Sequence, residues 1–141
     1  MNNNQTILLV EDDKVDAMTV IRAFKELNIT NPLHREENGE EALQYLKNIG
    51  KEKPCIILLD INMPKMNGIE LLKVLKKEDD FKRIPVVMLT TSEQEQDREE
   101  SYNLGASGYM IKPVDYKKFV EVMRTITVYW TLSKLPPEYD I

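Results

Sequence analysis

The stretch Ile56-Ile57-Leu58-Leu59-Asp60-Ile61-Asn62-Met63-Pro64 is a short apolar run that stops on a carboxylate and then breaks into a loop. An apolar run of this length, bounded by turn formers, reads as a strand buried on both faces, the habit of a parallel sheet. The pattern recurs three times: Ile7-Leu8-Leu9-Val10 runs into Glu11-Asp12-Asp13, Val86-Val87-Met88-Leu89 into Thr90-Thr91, and Tyr109-Met110-Ile111 into Lys112. In an open parallel sheet, ligands bind beyond the carboxyl ends of the strands. Four strand ends therefore deliver carboxylates, hydroxyls and one ammonium to a single edge, a set suited to a divalent cation and a phosphoryl group.

Helical patterns fill the spaces between these runs. Val15, Met18, Val20, Ile21, Phe24 and Leu27 recur at roughly helical spacing, in a helix begun by Asp13 or Lys14 and ended by Asn28. Leu33 to Glu36 is a weak second strand, Glu37-Asn38-Gly39 a turn, and Ala42, Leu43, Leu46 and Ile49 mark a second helix that stops at Gly50. Ile61 to Gly68 holds too many breakers for helix or strand, and Ile69, Leu71, Leu72 and Leu75 rebuild a helical face after it. Pro85 introduces the fourth strand. Ser92 is placed as the N-cap of a fourth, very polar helix from Glu93 to Asn103, with Gly105 as its stop. With few apolar anchors, that helix should pack weakly and shift easily. Gly108 to Ile111 is the fifth strand, and Asp115 to about Ser133 the last helix. Five strands alternating with five helices imply an α/β domain, a parallel sheet covered on both faces.

A chain of 141 residues, 42% apolar and 30% charged, suits one soluble domain with a full core. Its net charge of -5 offers no basic field for a nucleic-acid backbone, so direct nucleic-acid binding is disfavoured. Cys55 is the sole cysteine and sits beside Pro54 at a strand start, which reads as an inert buried thiol outside any disulfide. The polar opening Met1-Asn2-Asn3-Asn4-Gln5-Thr6 is unlike a secretion signal, and no apolar run approaches the ~20 residues that span a membrane. A cytoplasmic location, away from membranes, is the expectation.

Glu11, Asp12 and Asp60 crowded together would repel one another unless a cation intervened. Mg²⁺ suits the set, since it commonly takes one or two carboxylates and completes its octahedron with waters, carbonyls and phosphate oxygens. Asp12 and Asp60 are the expected direct ligands, Glu11 a ligand through water, and the Asn62 backbone carbonyl a further one. Lys112 can pair with Asp60 when the site is empty and with a phosphoryl oxygen when it is full, and Thr90 offers a hydroxyl to another oxygen. Asp60 could then attack phosphorus and become an aspartyl phosphate. Each residue alone has a plainer reading: Glu11-Asp12-Asp13 as a helix start, Asp60 as a turn residue, Thr90 as a cap, Lys112 as a solvated charge. Their joint placement at four strand ends favours the site.

The segments Ile7 to Asp13, Leu58 to Pro64 with Asn67-Gly68, Leu89-Thr90-Thr91, and Gly105-Ala106-Ser107-Gly108-Tyr109-Met110-Ile111-Lys112-Pro113 resemble the response-regulator receiver domain of two-component signalling. The resemblance implies a flavodoxin-like sheet in the order 2-1-3-4-5. It further implies a sensor histidine kinase whose phosphohistidine donates to Asp60, and Mg²⁺ held by Glu11 and Asp12. Thr90 and Tyr109 match the family's switch pair, with Tyr109 rotating inward as Thr90 moves to the phosphoryl group, although Tyr109 also reads as an ordinary half-buried strand aromatic. Asn62 and Ser92 match positions beside the hydrolytic water and would tune the phosphoryl lifetime. Lys112-Pro113 resembles the family's cis peptide. The only histidine, His34, lies on the weak second strand, so the donor histidine is expected on a partner.

Few residues follow Lys112, which leaves no room within this sequence for an output domain. A signal would leave through a protein surface on the fourth helix, fifth strand and fifth helix. Phe119, Met123, Ile126 and Trp130 can face the sheet, whereas Val122, Val128, Tyr129 and Leu132 have no obvious place in the same core. A helix apolar beyond one stripe usually buries a second face, on a partner or under its own tail. Tyr109, Val122, Tyr129, Trp130 and Leu132 are the candidate partner surface. Tyr129 to Pro137 resembles the end of stand-alone receivers that serve phytochrome-type histidine kinases and pair as homodimers through this region. The expectation is a single receiver over 1–141, with 125–141 a helical extension and proline-containing tail, that catalyses only its own phosphorylation and dephosphorylation. The alternatives are an intermediate phosphate carrier in a phosphorelay, a degenerate receiver serving only dimerisation, and a haloacid-dehalogenase-like phosphatase. The last usually carries a second aspartate where Asn62 stands here.

Overall fold

The computed structural model describes residues 5–112 and 115–132, the last four by backbone alone. Along the chain come β1 (Ile7–Val10), α1 (Lys14–Glu26), β2 (Leu33–Glu36), α2 (Gly39–Asn48), β3 (Ile56–Leu59), α3 (Gly68–Lys77), β4 (Val86–Thr90), α4 (Glu95–Asn103), β5 (Gly108–Ile111) and α5 (Tyr116–Leu132). All strand pairings are parallel and the order is β2-β1-β3-β4-β5. This is the expected flavodoxin-like receiver fold, with β1, β3 and β4 inside and β2 and β5 as edges.

Strand side chains alternate between faces, and each face has its own core. Ile7, Leu9, Ile56, Leu58, Val87 and Leu89 pack with Ala17, Val20, Ala23 and Phe24 of α1 and with Phe119, Val120, Met123 and Ile126 of α5. Leu8, Val10, Ile57, Leu59, Val86 and Met88 pack with Ala42 and Leu46 of α2 and with Leu71, Leu72 and Leu75 of α3. The central strands are buried throughout, and apolar but for Thr90 at the end of β4, because both of their faces are covered.

Helix ends follow local chemistry. The side chains of Asp13, Asn38 and Asn67 cap α1, α2 and α3, the last in a reciprocal pair with Glu70. Asn28, Gly50 and Gly105 take positive φ of 58°, 66° and 104° after their helices, where the sequence places stops.

Four expectations need correction. Val15 and Met18 are 72% and 60% exposed, because the stripe of α1 that meets the sheet runs through Ala17, Val20, Ala23 and Phe24, whose two alanines let the helix approach closely. Helix α4 begins at Glu95, and its N-cap is Gln94, which makes no side-chain capping bond. Ser92 stays in the preceding loop, where its hydroxyl donates to Asp97 Oδ2 (2.7 Å) and accepts from the Gln94 amide (3.3 Å). Thr90 belongs to β4 itself. Val122 packs partly against the core that α1 and α5 share, because α1 and α5 lie in close contact. Val128 is 52% exposed, as expected. The side chains of Tyr129, Trp130 and Leu132, the tail after Leu132 and the Lys112–Pro113 peptide lie outside the described residues.

Candidate functional site at the carboxyl edge of the sheet

Asp60 follows the last residue of β3 and is 8% exposed. Its amide still donates to the Val10 carbonyl (3.1 Å), and its Oδ1 accepts from the Ile61 amide (2.8 Å). The opposite oxygen, Oδ2, is left facing Lys112. Behind Asp60 the start of α3 comes so close that a Cβ on Gly68 would stand 2.1 Å from the Asp60 carbonyl oxygen. No other residue type fits there without displacing the Asp60 backbone.

Glu11 and Asp12 leave the end of the neighbouring strand, β1. Glu11 is 1% exposed, while Asp12 is open to solvent. Carboxylate oxygens of Glu11, Asp12 and Asp60 all lie within 4.8 Å of one another. Burial, followed by the charge of Asp60, pushes the Glu11 carboxyl up from the ordinary range, against the pull of Lys112. Such a set has surplus negative charge in a sheltered place, which fits a small oxygen-liganded divalent cation. Asn62 is exposed in the loop after Asp60.

Lys112 reaches into the cluster from the end of β5, and its side chain is 7% exposed. The backbone amide of Lys112 donates to the Thr90 carbonyl (2.8 Å), extending the β4–β5 ladder. Its ammonium bonds Glu11 Oε1 most closely, then Asp16 Oδ2 (3.1 Å), and stands 3.6 Å from Asp60 Oδ2. Burial pulls its pKa down, but the Glu11 hydrogen bond and the charges of Asp60 and Glu11, with Asp16, outweigh it and the net shift is upward. The lysine therefore keeps its charge, and the excess falls on the most buried acid. Pairing with Asp60 is thus the longest of the three contacts rather than the main one. Asp16 was absent from the sequence reading, and its signal is its place one helical turn beyond Asp12.

Thr90 is fully buried, and its Oγ1 accepts from the Ser92 amide (3.2 Å). The Tyr109 hydroxyl donates to the Ser92 carbonyl (3.0 Å), so the aromatic already lies against the β4–α4 loop and the core beneath it. Ser92 thereby joins Thr90, Tyr109 and, through Asp97, the first turn of α4. His34 sits on edge strand β2, stacked on Tyr45 with centroids 3.8 Å apart, and is bonded to Glu36. Strand β1 separates it from β3 and Asp60.

A family model described as the response regulator receiver domain matches residues 7–124. The chain belongs to the response-regulator receiver family. It is 38% identical over 133 residues to response regulator Rcp1 of Synechocystis, covering 92% of this chain and 90% of that protein. A probable methanogenesis regulatory protein, FilR2 of Methanothrix harundinacea, is 36% identical over 127 residues, covering 88% and 82%. Among solved structures, the phosphorylated cyanobacterial phytochrome response regulator RcpA superposes with a TM-score of 0.86 at 33% identity, covering 94% of this chain and 99% of that one. The Mn²⁺-bound form of Rcp1 gives 0.84 at 37% identity, with the same coverage. Receivers are signalling components of two-component systems that bind Mg²⁺ in an acidic pocket and are phosphorylated by histidine kinases. Glu11, Asp12 and Asp60 form an acidic cluster at the carboxyl edge of this sheet. No helix among the described residues is long and apolar enough to cross a membrane.

Proposed function

We propose that this receiver accepts a phosphoryl group on Asp60 from the phosphohistidine of a sensor histidine kinase, in a Mg²⁺-dependent reaction. A carboxylate oxygen of Asp60 forms the new P–O bond as the P–N bond breaks, and the donor imidazole leaves with the electron pair. The observation that carries the reading is Lys112 Nζ held 3.6 Å from Asp60 Oδ2 within the same cluster as Glu11 and Asp12. A cation bound by Asp12, Asp60 and the Asn62 carbonyl, and by Glu11 through water, would offset charge on the carboxylates and the incoming phosphoryl oxygens. Lys112 can turn to one of those oxygens while Glu11 and Asp16 stay within its reach, and Thr90 takes another. Much of the acceleration comes from positioning and charge stabilisation. Asn62 and Ser92 then tune hydrolysis of the aspartyl phosphate, so the protein catalyses only its own turnover.

The receiver signals in the cytoplasm by changing a protein-binding surface. Thr90 and Tyr109 both engage Ser92, which supports a route from Asp60 to α4. A groove of about 300 Å³ between α4, β5 and α5, lined by Tyr102, Tyr109, Met110 and Ile126 among others, lies on that route. Exposed Val15 and Met18 on α1, just beyond the acid pair, suit the docking of a kinase. A phytochrome-type kinase is the leading donor, on the strength of the phytochrome response regulator among its relatives. Homodimerisation through α4, α5 and the tail completes the reading.

The test is incubation with Mg²⁺ and a small acyl phosphate, followed by intact mass. The native chain should gain an acid-stable, base-labile phosphoryl group, and Asp60→Asn should not. A native chain that stays unmodified, or an Asp60→Asn chain modified equally, overturns the proposal. Transfer of that group onward to a second histidine protein would favour the phosphorelay carrier.

A further inference from the structure

The acid pair Glu11-Asp12 sits where the β1–β2 ladder runs out. The Glu11 amide makes the last ladder bond, to the Glu36 carbonyl (3.0 Å). A continued parallel ladder would next bring the Asn38 amide to the Glu11 carbonyl, but the chain has turned and Asn38 caps α2. Two successive carbonyls, of Glu11 and Asp12, are thus left beyond the sheet and need donors. Arg35, on β2, supplies both. Its Nε donates to the Glu11 carbonyl (3.0 Å) and its Nη2 to the Asp12 carbonyl (3.1 Å). The same Nη2 stands 3.6 Å from Glu37 Oε1, and the Arg35 side chain is 24% exposed. On the far side, the Asp13 amide donates to Glu11 Oε2 (3.2 Å) and Asp13 caps α1.

We infer that Arg35 is a positioning residue for the cation site, its guanidinium fork fixing the peptide that carries Glu11 and Asp12 so that their carboxylates stay convergent on Asp60. The inference rests on the phosphoacceptor reading above. The planar fork aims two N–H groups at the consecutive carbonyls in a fixed geometry, whereas a lysine ammonium keeps the charge on a flexible stem whose donors are not held in that relation. Charge and positioning oppose each other here. By Coulomb repulsion alone, removing a guanidinium beside the acids would tighten binding of a divalent cation, whereas loss of the clamp would weaken it.

The test is calorimetric titration of the full chain with Mg²⁺, and with Mn²⁺ as a second probe, for the native protein, Arg35→Met and Arg35→Lys. Each variant is accompanied by a urea midpoint. Loss of a group that orients metal ligands costs on the order of tenfold in affinity. That loss is expected for Arg35→Met, with Arg35→Lys closer to it than to the native protein despite the retained charge. Phosphorylation by a small acyl phosphate should recover towards the native rate at saturating Mg²⁺, a separation that general destabilisation would not give. Unchanged or tighter cation binding in Arg35→Met overturns the inference, and Arg35→Lys decides on the same criterion if Arg35→Met does not fold. A native chain that binds neither cation removes the phosphoacceptor reading as well, which distinguishes the two failures.

Discussion

Lys112 is the only cationic side chain paired with the Glu11 carboxylate among the described contacts, and it reaches three carboxylates from one buried position. Replacing it with alanine removes the group that would balance charge on the transferred phosphoryl, a loss of about 10²-fold or more in transfer rate. The measurement is the phosphorylation rate of Lys112→Ala at saturating Mg²⁺, with circular dichroism to verify the fold. Cys55 is the opposite kind of residue. It is 6% exposed, and burial pushes its thiol from an ordinary 9.0 to about 11. The folded chain therefore holds a proton between these values that the unfolded chain has released. Stability from this group is complete below about pH 9 and declines as pH rises towards about 11. Urea midpoints across that range should fall more steeply for the native chain than for Cys55→Ala. In the folded protein near pH 8 the thiol should resist alkylation, and denaturation should expose it.

Helix α3 and helix α4 stand at opposite ends of a scale of attachment. The first turn of α3 presses Gly68 against the Asp60 carbonyl, with 2.1 Å available to an added Cβ. Gly68→Ala must push α3 or the Asp60 backbone aside, an overpacking cost of about 1–3 kcal/mol, and should slow phosphorylation as well. Chemical denaturation and the phosphorylation rate check the two effects separately. Helix α4 buries only Ser101 and lacks a side-chain cap. Its amides should exchange with solvent fastest among the described helices, and Ser92→Ala, which removes the bond to Asp97, should speed them further. Exchange monitored by mass spectrometry reads this directly. The weak attachment was legible from the polar composition of the segment. The start of the helix was not, because a serine three residues before it suits capping equally well until the loop contacts of Ser92 are known.

At the level of the whole molecule, a cation bound only by the folded state adds stability by mass action, about 2.7 kcal/mol at a hundredfold excess over its dissociation constant. Mg²⁺ should raise the thermal midpoint of the native chain, and chelation should reverse the rise. Asp12→Asn should blunt it; a midpoint indifferent to Mg²⁺ in the native chain would count against the cation site. The fold was readable in linear order because central parallel strands are buried on both faces and so are written as unbroken apolar runs, each ending where the chain turns to its helix. The motif residues Glu11, Asp12, Asp60, Thr90 and Lys112 were readable for the same reason, since a strand end is a position in the sequence. What linear order could not supply is who meets whom across the edge. Asp16 and Arg35 join the cluster from a helix turn and an edge strand, Lys112 settles closest to Glu11, and Val15 and Met18 turn outward although their spacing suits a core face. Those choices depend on distances of a few ångströms between elements far apart in the chain, and such distances exist only once the sheet and its two helical layers have closed.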